Sequence, residues 1–229
     1  MVLFMTAKKR SNGTKTLAVM FVDMVDYTKN TSEISSETLH ELHDDYDNLS
    51  IPVFQSFEGR VIKKIGDAFL ITFENPSDAV YCGIELQRTF QDYNKKFKPK
   101  KPIKIRVAIH LGEVSFRAGD VYGDTVNTAS RLESVASAGQ VIFSGAVYSA
   151  MEKEDIPVMH LGLRNLKGLK YPIQIFRVRT KRDEWVKRKI YLHKMKNKLN
   201  AMVLFIILFS FLVVFSVLAV YYLAFLAFV

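Results

Sequence analysis

The chain is 229 residues long, enough for one domain of ordinary size and an appendage. Its net charge of +9 gathers beside an uncharged C-terminal run, which argues against a nucleic-acid footprint. A single cysteine, Cys82, excludes an internal disulfide and fits a reducing compartment.

Residues 1–15 form a short leader without the long apolar core of a secretory signal. Leu17 to Val22 is an apolar run of strand length that ends at Asp23. Ser36 to Phe57 carries Leu39, Leu42, Tyr46, Leu49, Val53 and Phe57 at helical spacing, and Gly59 stops it. Val61–Ile65 and Ala68–Phe73 are predicted strands joined by a tight Gly66-Asp67 turn. Pro76 to Tyr93 is a predicted helix with proline acceptable in its first turn. A Lys- and Pro-rich loop (Lys95 to Lys104) leads into a strand over Ile103–Val114. A helix over Asp124–Val135 and short strands at Val141–Phe143 and Ile173–Val178 complete the order. This β-α-β-β-α-β order with later additions predicts an α+β, palm-like and ferredoxin-like sheet with helices packed against one face.

From Ala201 to Val229 there is no charged residue. A helix of roughly 20 residues crosses a ~30 Å hydrocarbon core, so this stretch is expected to be a transmembrane helix. Basic residues flank it in the 181–200 segment, among them Lys181, Arg182, Lys187, Arg188 and Lys189. Basic flanks stay on the cytoplasmic side and attract anionic headgroups, with Trp185 and Tyr191 suited to the interface. The expectation is a cytoplasmic domain over residues 16–180 on a single C-terminal span, in a bacterial inner membrane. Val229 lies within apolar sequence, which leaves open a tail anchor or a longer membrane protein.

Asp23 at a strand end and Asp67 in the next hairpin turn are candidate metal ligands. Magnesium prefers oxygen donors together with substrate phosphates, and a pair of ions activates a hydroxyl while neutralising a leaving pyrophosphate. An Asp in a Gly-Asp turn is also ordinary turn chemistry, so the surroundings decide. Four segments surround these residues: Phe21 to Thr28, Gly59 to Phe69, Ile105 to Val114 and Asp120 to Leu132. In this order they resemble the four motifs of the class III adenylate/guanylate cyclases, in a bacterial-type adenylate cyclase.

The resemblance implies roles residue by residue. Asp23, Asp67 and the backbone carbonyl of Met24 are the expected ligands of two Mg²⁺ or Mn²⁺ ions per site. Lys63 and Asp120 correspond to the purine readers, and Thr28 with the amides of Val25 to Tyr27 to the phosphate loop. Lys167 corresponds to a lysine on the triphosphate, and Asn127 and Arg131 to the pair that orients the ribose and stabilises the transition state. The last two are four residues apart and so share a helix face. A donor at Lys63 and an acceptor at Asp120 match adenine, so ATP is the expected substrate and a guanylate cyclase is disfavoured. One chain with the full set implies a homodimer with two composite sites.

Two departures stand out. Asp26 occupies the place of a usual Gly, and the arm over Ser115–Gly119 is short. The alternative to an enzyme is a degenerate cyclase fold kept for dimerisation or sensing, which usually loses an aspartate or the Asn/Arg pair; none is lost here. His40, His43, His160 and His193 lack metal-ligand spacing and are expected at surface or packing positions, and Asp44, Asp45 and Asp47 on a helix surface.

Overall fold

Because the apolar run after Lys15 does not alternate, its strand is covered on both sides: β1 (Thr14–Met24) is buried at every residue from Leu17 onward. This is a computed structural model that describes residues 13–27, 36–154 and 156–180. The chain divides into two units, Met1–Val178 and Arg179–Val229, and the described strands and helices lie in the first.

The sheet has the order β2-β3-β1-β4-β6-β8-β7, with β5 paired to β4. These strands are β2 (Arg60–Ile65), β3 (Ala68–Phe73), β4 (Ile105–Arg117), β5 (Asp120–Tyr122), β6 (Val141–Ser144), β7 (Val158–Arg164) and β8 (Ile173–Val178). Antiparallel register sets Asp23 opposite Ala68 on β3 and opposite Arg106 on β4. The β2–β3 turn therefore delivers Asp67, one residue before Ala68, to the end of β1.

Among the described residues four helices accompany the sheet: α1 (Ser36–Ser56), α2 (Pro76–Phe97), α3 (Asp124–Glu133) and α4 (Gly145–Ala150). One core joins Tyr46 and Phe54 of α1 and Leu86 and Phe90 of α2 to Met20, Val22 and Ile71. On the other parity of β1, Leu17, Val19 and Phe21 pack with Ala129 of α3, while Leu132 of α3 packs with Ala108, Ile142 and Ile175. Helices thus cover both faces, which corrects the one-face expectation. The doubly apolar β1 demands cover on each side.

Helix α2 runs four residues past the expected Tyr93. Asn75 caps its start, its side chain accepting from Ser77 N at 2.8 Å. At the other end Lys95 and Lys96 suit the negative end of the helix dipole, and Lys98 closes it in a left-handed conformation. Strands β5 and β7 and helix α4 were not expected from sequence. The first has three residues and the last six, and β7 shifts register between His160 and Gly162. Among the described residues no helix is long and apolar enough to cross a membrane. The expected span over 201–229, the basic segment 181–200 and residues 1–12 of the leader lie outside the described residues.

Candidate active site

Asp23 is 7% exposed where β1 ends, and its cross-strand neighbour Arg106 reaches it directly. Arg106 Nε donates to Asp23 Oδ2 at 2.8 Å, and Nη2 stands 2.6 Å from the same oxygen. Arg106 Nη2 also lies 2.5 Å from Glu133 Oε1 at the end of α3, as an ion pair without hydrogen-bond alignment. One guanidinium thus faces several carboxyls. Burial raises the Asp67 carboxyl, with the Asp23 charge adding to it. Burial likewise pushes Glu133 up to about 7, aided by Asp23 and Asp67 and opposed by Arg106. Below the strand end, Tyr46 Oη donates to Val22 O at 3.1 Å and holds the backbone next to Asp23.

The two expected base readers also meet. Lys63 Nζ donates to Asp120 Oδ2 at 2.6 Å, and this contact holds the Asp120 carboxyl below its ordinary range. A two-residue turn at Ala118 and Gly119, both with positive φ, folds the short arm back so that Asp120 pairs with Arg117. Asn127 is exposed on α3 and Arg131 half-buried. Helix α3 sits close on β4 because position 112 is glycine: a Cβ there would stand 2.6 Å from Thr125 Oγ1, which itself donates to Glu113 O at 2.6 Å. The Arg131 guanidinium lies against the Lys167-Gly168 turn, where a Cβ on Gly168 would stand 2.9 Å from Arg131 Nη2. Lys167 and Arg131 are therefore neighbours.

After Asp23 the chain leaves the sheet through Met24, which is buried, and Val25, whose N–H donates to Lys104 O at 2.8 Å. Asp26 has φ 64, a left-handed conformation in which Gly is the easiest residue. Thr28 lies outside the described residues. A cavity of about 670 Å³ opens beside this loop, lined by Met24, Val25 and Tyr27 and by Lys100, Lys101 and Lys104 of the Lys-rich loop.

The sequence-predicted residues thus form two groups, Asp23 with Asp67 and Lys63 with Asp120, while Arg131 meets the Lys167 turn. Among the described residues no hydrogen bond or ion pair joins the first group to Lys63, Asp120 or Asn127. Arg106 and Glu133 were missed. Strand pairing is the signal for Arg106, since Asp23 and Arg106 sit opposite one another, whereas Glu133 needed the helix placed on the sheet.

The family model for the adenylate and guanylate cyclase catalytic domain matches residues 10–180. The serine/threonine-protein kinase pkn2 of Myxococcus xanthus is 30% identical over 161 residues, 70% of this chain and 19% of that protein. The putative adenylate cyclase 3 of Rhizobium meliloti is 27% identical over 169 residues, 73% of this chain and 29% of that protein. The chain therefore spans less than a third of the length of these relatives. Among solved structures, the adenylyl cyclase CyaB from P. aeruginosa superposes with a TM-score of 0.68 at 28% identity, covering 74% of this chain and 96% of that one. With four motifs in order, the cyclase sheet and a family match across three quarters of its length, the chain belongs to the class III adenylate and guanylate cyclase catalytic-domain family.

Proposed function

We propose that the chain is an adenylate cyclase that converts ATP to 3′,5′-cyclic AMP and pyrophosphate. The observation that carries this reading is the Lys63–Asp120 pair at 2.6 Å. Adenine offers a ring-nitrogen acceptor beside an exocyclic amine donor, matching one donor and one acceptor. Guanine presents a carbonyl and a protonated ring nitrogen there, leaving groups of the site unpaired.

Class III cyclases use divalent metals, and the residues at the end of β1 fit them. Asp67 lies close enough to Asp23 for the Asp23 charge to add to the burial that raises the Asp67 carboxyl, and Glu133 Oε1 is buried without a hydrogen-bond partner. Among the described residues no group of three or more His, Cys, Asp or Glu is arranged to hold a metal. Two carboxylates and the Met24 carbonyl suit Mg²⁺ or Mn²⁺, which take the remaining oxygens from substrate phosphates and water. Bound there, two divalent ions supply charge neutralisation and ease formation of the 3′ alkoxide. The protein's own residues supply orientation. Lys63 and Asp120 fix the base, Asn127 the ribose, and Lys167 the triphosphate. Arg131 offers several always-protonated donors to the extra negative charge on the α-phosphate. The ribose 3′ hydroxyl gives up its proton to solvent water, its oxygen bonds to the α-phosphorus, and the bond from that phosphorus to pyrophosphate breaks.

The presence of the metal, base-reading and Asn/Arg residues together in one chain, with no hydrogen bond or ion pair among the described residues joining Asp23 or Asp67 to Lys63, Asp120 or Asn127, supports composite sites in a homodimer, each metal pair facing the partner's base readers. The uncharged stretch over 201–229 and its basic flank support a C-terminal membrane anchor with lipid contacts and a cytoplasmic catalytic domain, in a bacterial inner membrane. Fractionation tests the anchor: the full chain should sediment with membranes and resist a salt wash.

Turnover by the purified full chain, with ATP and GTP in parallel and Mg²⁺ or Mn²⁺ supplied, tests the activity. Cyclic AMP from ATP is expected, reduced at least about a hundredfold in Asp67→Ala. Preference for GTP would make it a guanylate cyclase. No product from either nucleotide would make it a cyclase fold without turnover.

A further inference from the structure

Histidine 43 lies on the face of α1 that meets both the loop after β1 and strand β2. Its Nε2 stands 2.7 Å from Tyr27 Oη, and the two rings meet edge to face with centroids 5.3 Å apart. Its Nδ1 stands 3.4 Å from Lys64 Nζ. An ammonium has only donors, so Nδ1 accepts, and the proton of the neutral ring resides on Nε2 and is donated to Tyr27 Oη. Lys64 is itself fixed by an ion pair with Asp47 and lies over the rings of Tyr46 and Phe69 at 5.4 and 5.2 Å. Both ring nitrogens of His43 are thereby occupied, by groups from the loop and from β2.

The tether reaches the loop where it needs one. Asp26, next to Tyr27, holds a left-handed backbone, and the cavity along Met24, Val25 and Tyr27 leaves that side of the loop without packing. A non-glycine residue in this conformation persists only where its surroundings hold it.

We propose that His43 is a positioning residue for the triphosphate: held by Lys64, it fixes Tyr27 and so keeps the Val25–Tyr27 loop in its left-handed turn. This rests on the reading of that loop as the phosphate cradle. The groups facing the imidazole are Tyr27 from the loop, Lys64 from β2, and His40, Asp44 and Asp47 from α1. Burial, then Lys64, lowers the His43 pKa below its ordinary 6.5. A proton added at Nδ1 would face the Lys64 ammonium, so the tether is intact at neutral pH and loosens as pH falls below 6.5.

The experiment uses the full chain and 3′-deoxy-ATP, which keeps the triphosphate and lacks the attacking hydroxyl, with 3′-deoxyadenosine as the comparison. Binding to wild type, Tyr27→Phe, His43→Leu, His43→Gln and the Tyr27→Phe/His43→Leu double variant is measured from pH 5.5 to 8. The expectation is about fivefold weaker 3′-deoxy-ATP binding in each of the first two variants at pH 7.5. Binding of the nucleoside stays unchanged, and the double variant is no worse than either single one. His43→Gln recovers most of the loss, since its amide N–H reaches the same oxygen. The acid-side weakening of wild type is flattened in His43→Leu. Fold-losses that multiply in the double variant, equal losses for the nucleoside, or unchanged binding in both single variants would overturn the proposal. Product formation from ATP, measured alongside, reads the functional assignment separately. A chain that binds 3′-deoxy-ATP with this pattern but forms no cyclic nucleotide keeps the proposal and loses the activity. A wild-type chain that does not bind the probe overturns the proposal outright.

Discussion

Glu133 and Asp26 each hold a conformation or a charge state that the rest of the site imposes. Glu133 is raised from 4.5 to about 7 by burial, with Asp23 and Asp67 adding to it, so the native state keeps a proton the unfolded chain releases. A raised carboxyl contributes stability that is full below 4.5 and is lost as pH rises through about 7. Between pH 5 and 7.5 metal-free wild type should therefore lose Tm relative to Glu133→Gln, which is neutral throughout. Equal slopes in the two proteins would contradict this. Added Mg²⁺ or Mn²⁺ should flatten the wild-type slope by balancing the carboxylates. At Asp26, φ 64 asks for glycine. Asp26→Gly should raise stability by about 0.5–1 kcal/mol in urea unfolding, because the left-handed penalty on a side chain is removed. A loss of stability would mean that the aspartate makes contacts that outweigh its strain.

Elements carry the second kind of constraint, in which one turn or one helix seat sets a side chain several residues away. The Lys167-Gly168 turn lies on the Arg131 guanidinium with no room for a Cβ. Gly168→Ala should push Arg131 aside and lower kcat about tenfold or more, with the nucleotide KM changed far less. A proportional rise in KM would place Arg131 in ground-state binding instead. Much of this level was legible in the chain. The run Leu17–Val22, the helical spacing of Leu39, Leu42 and Tyr46, and the Gly66-Asp67 turn predicted β1, α1 and the β2–β3 hairpin, because each is a local pattern. Lys63 and Asp120 were legible through their motifs. Arg106 and Glu133 were not, since their meeting depends on the β1–β4 register and on α3 lying on the opposite face from α1. The His43–Tyr27 contact was hidden for the same reason: the two residues share no spacing rule and meet only when α1 packs beside the strand end.

At the scale of the whole molecule, the arrangement divides the chemistry. The Asp23–Asp67 group sits where β1 meets the β2–β3 turn, beside Glu133 at the end of α3, while Asn127 and Arg131 lie further along α3. In the proposed homodimer each chain would supply half of two sites, and one intact half from each mutant chain would rebuild a single working site. The most direct measurement is cyclic AMP formation by Asp67→Ala and Arg131→Ala full-length chains, assayed separately and after mixing. Each alone should be nearly inactive, and an equimolar mixture should recover up to about a quarter of wild-type activity, as random pairing yields half mixed dimers with one intact site of two. No recovery in a mixture shown to exchange subunits would contradict composite sites in a homodimer.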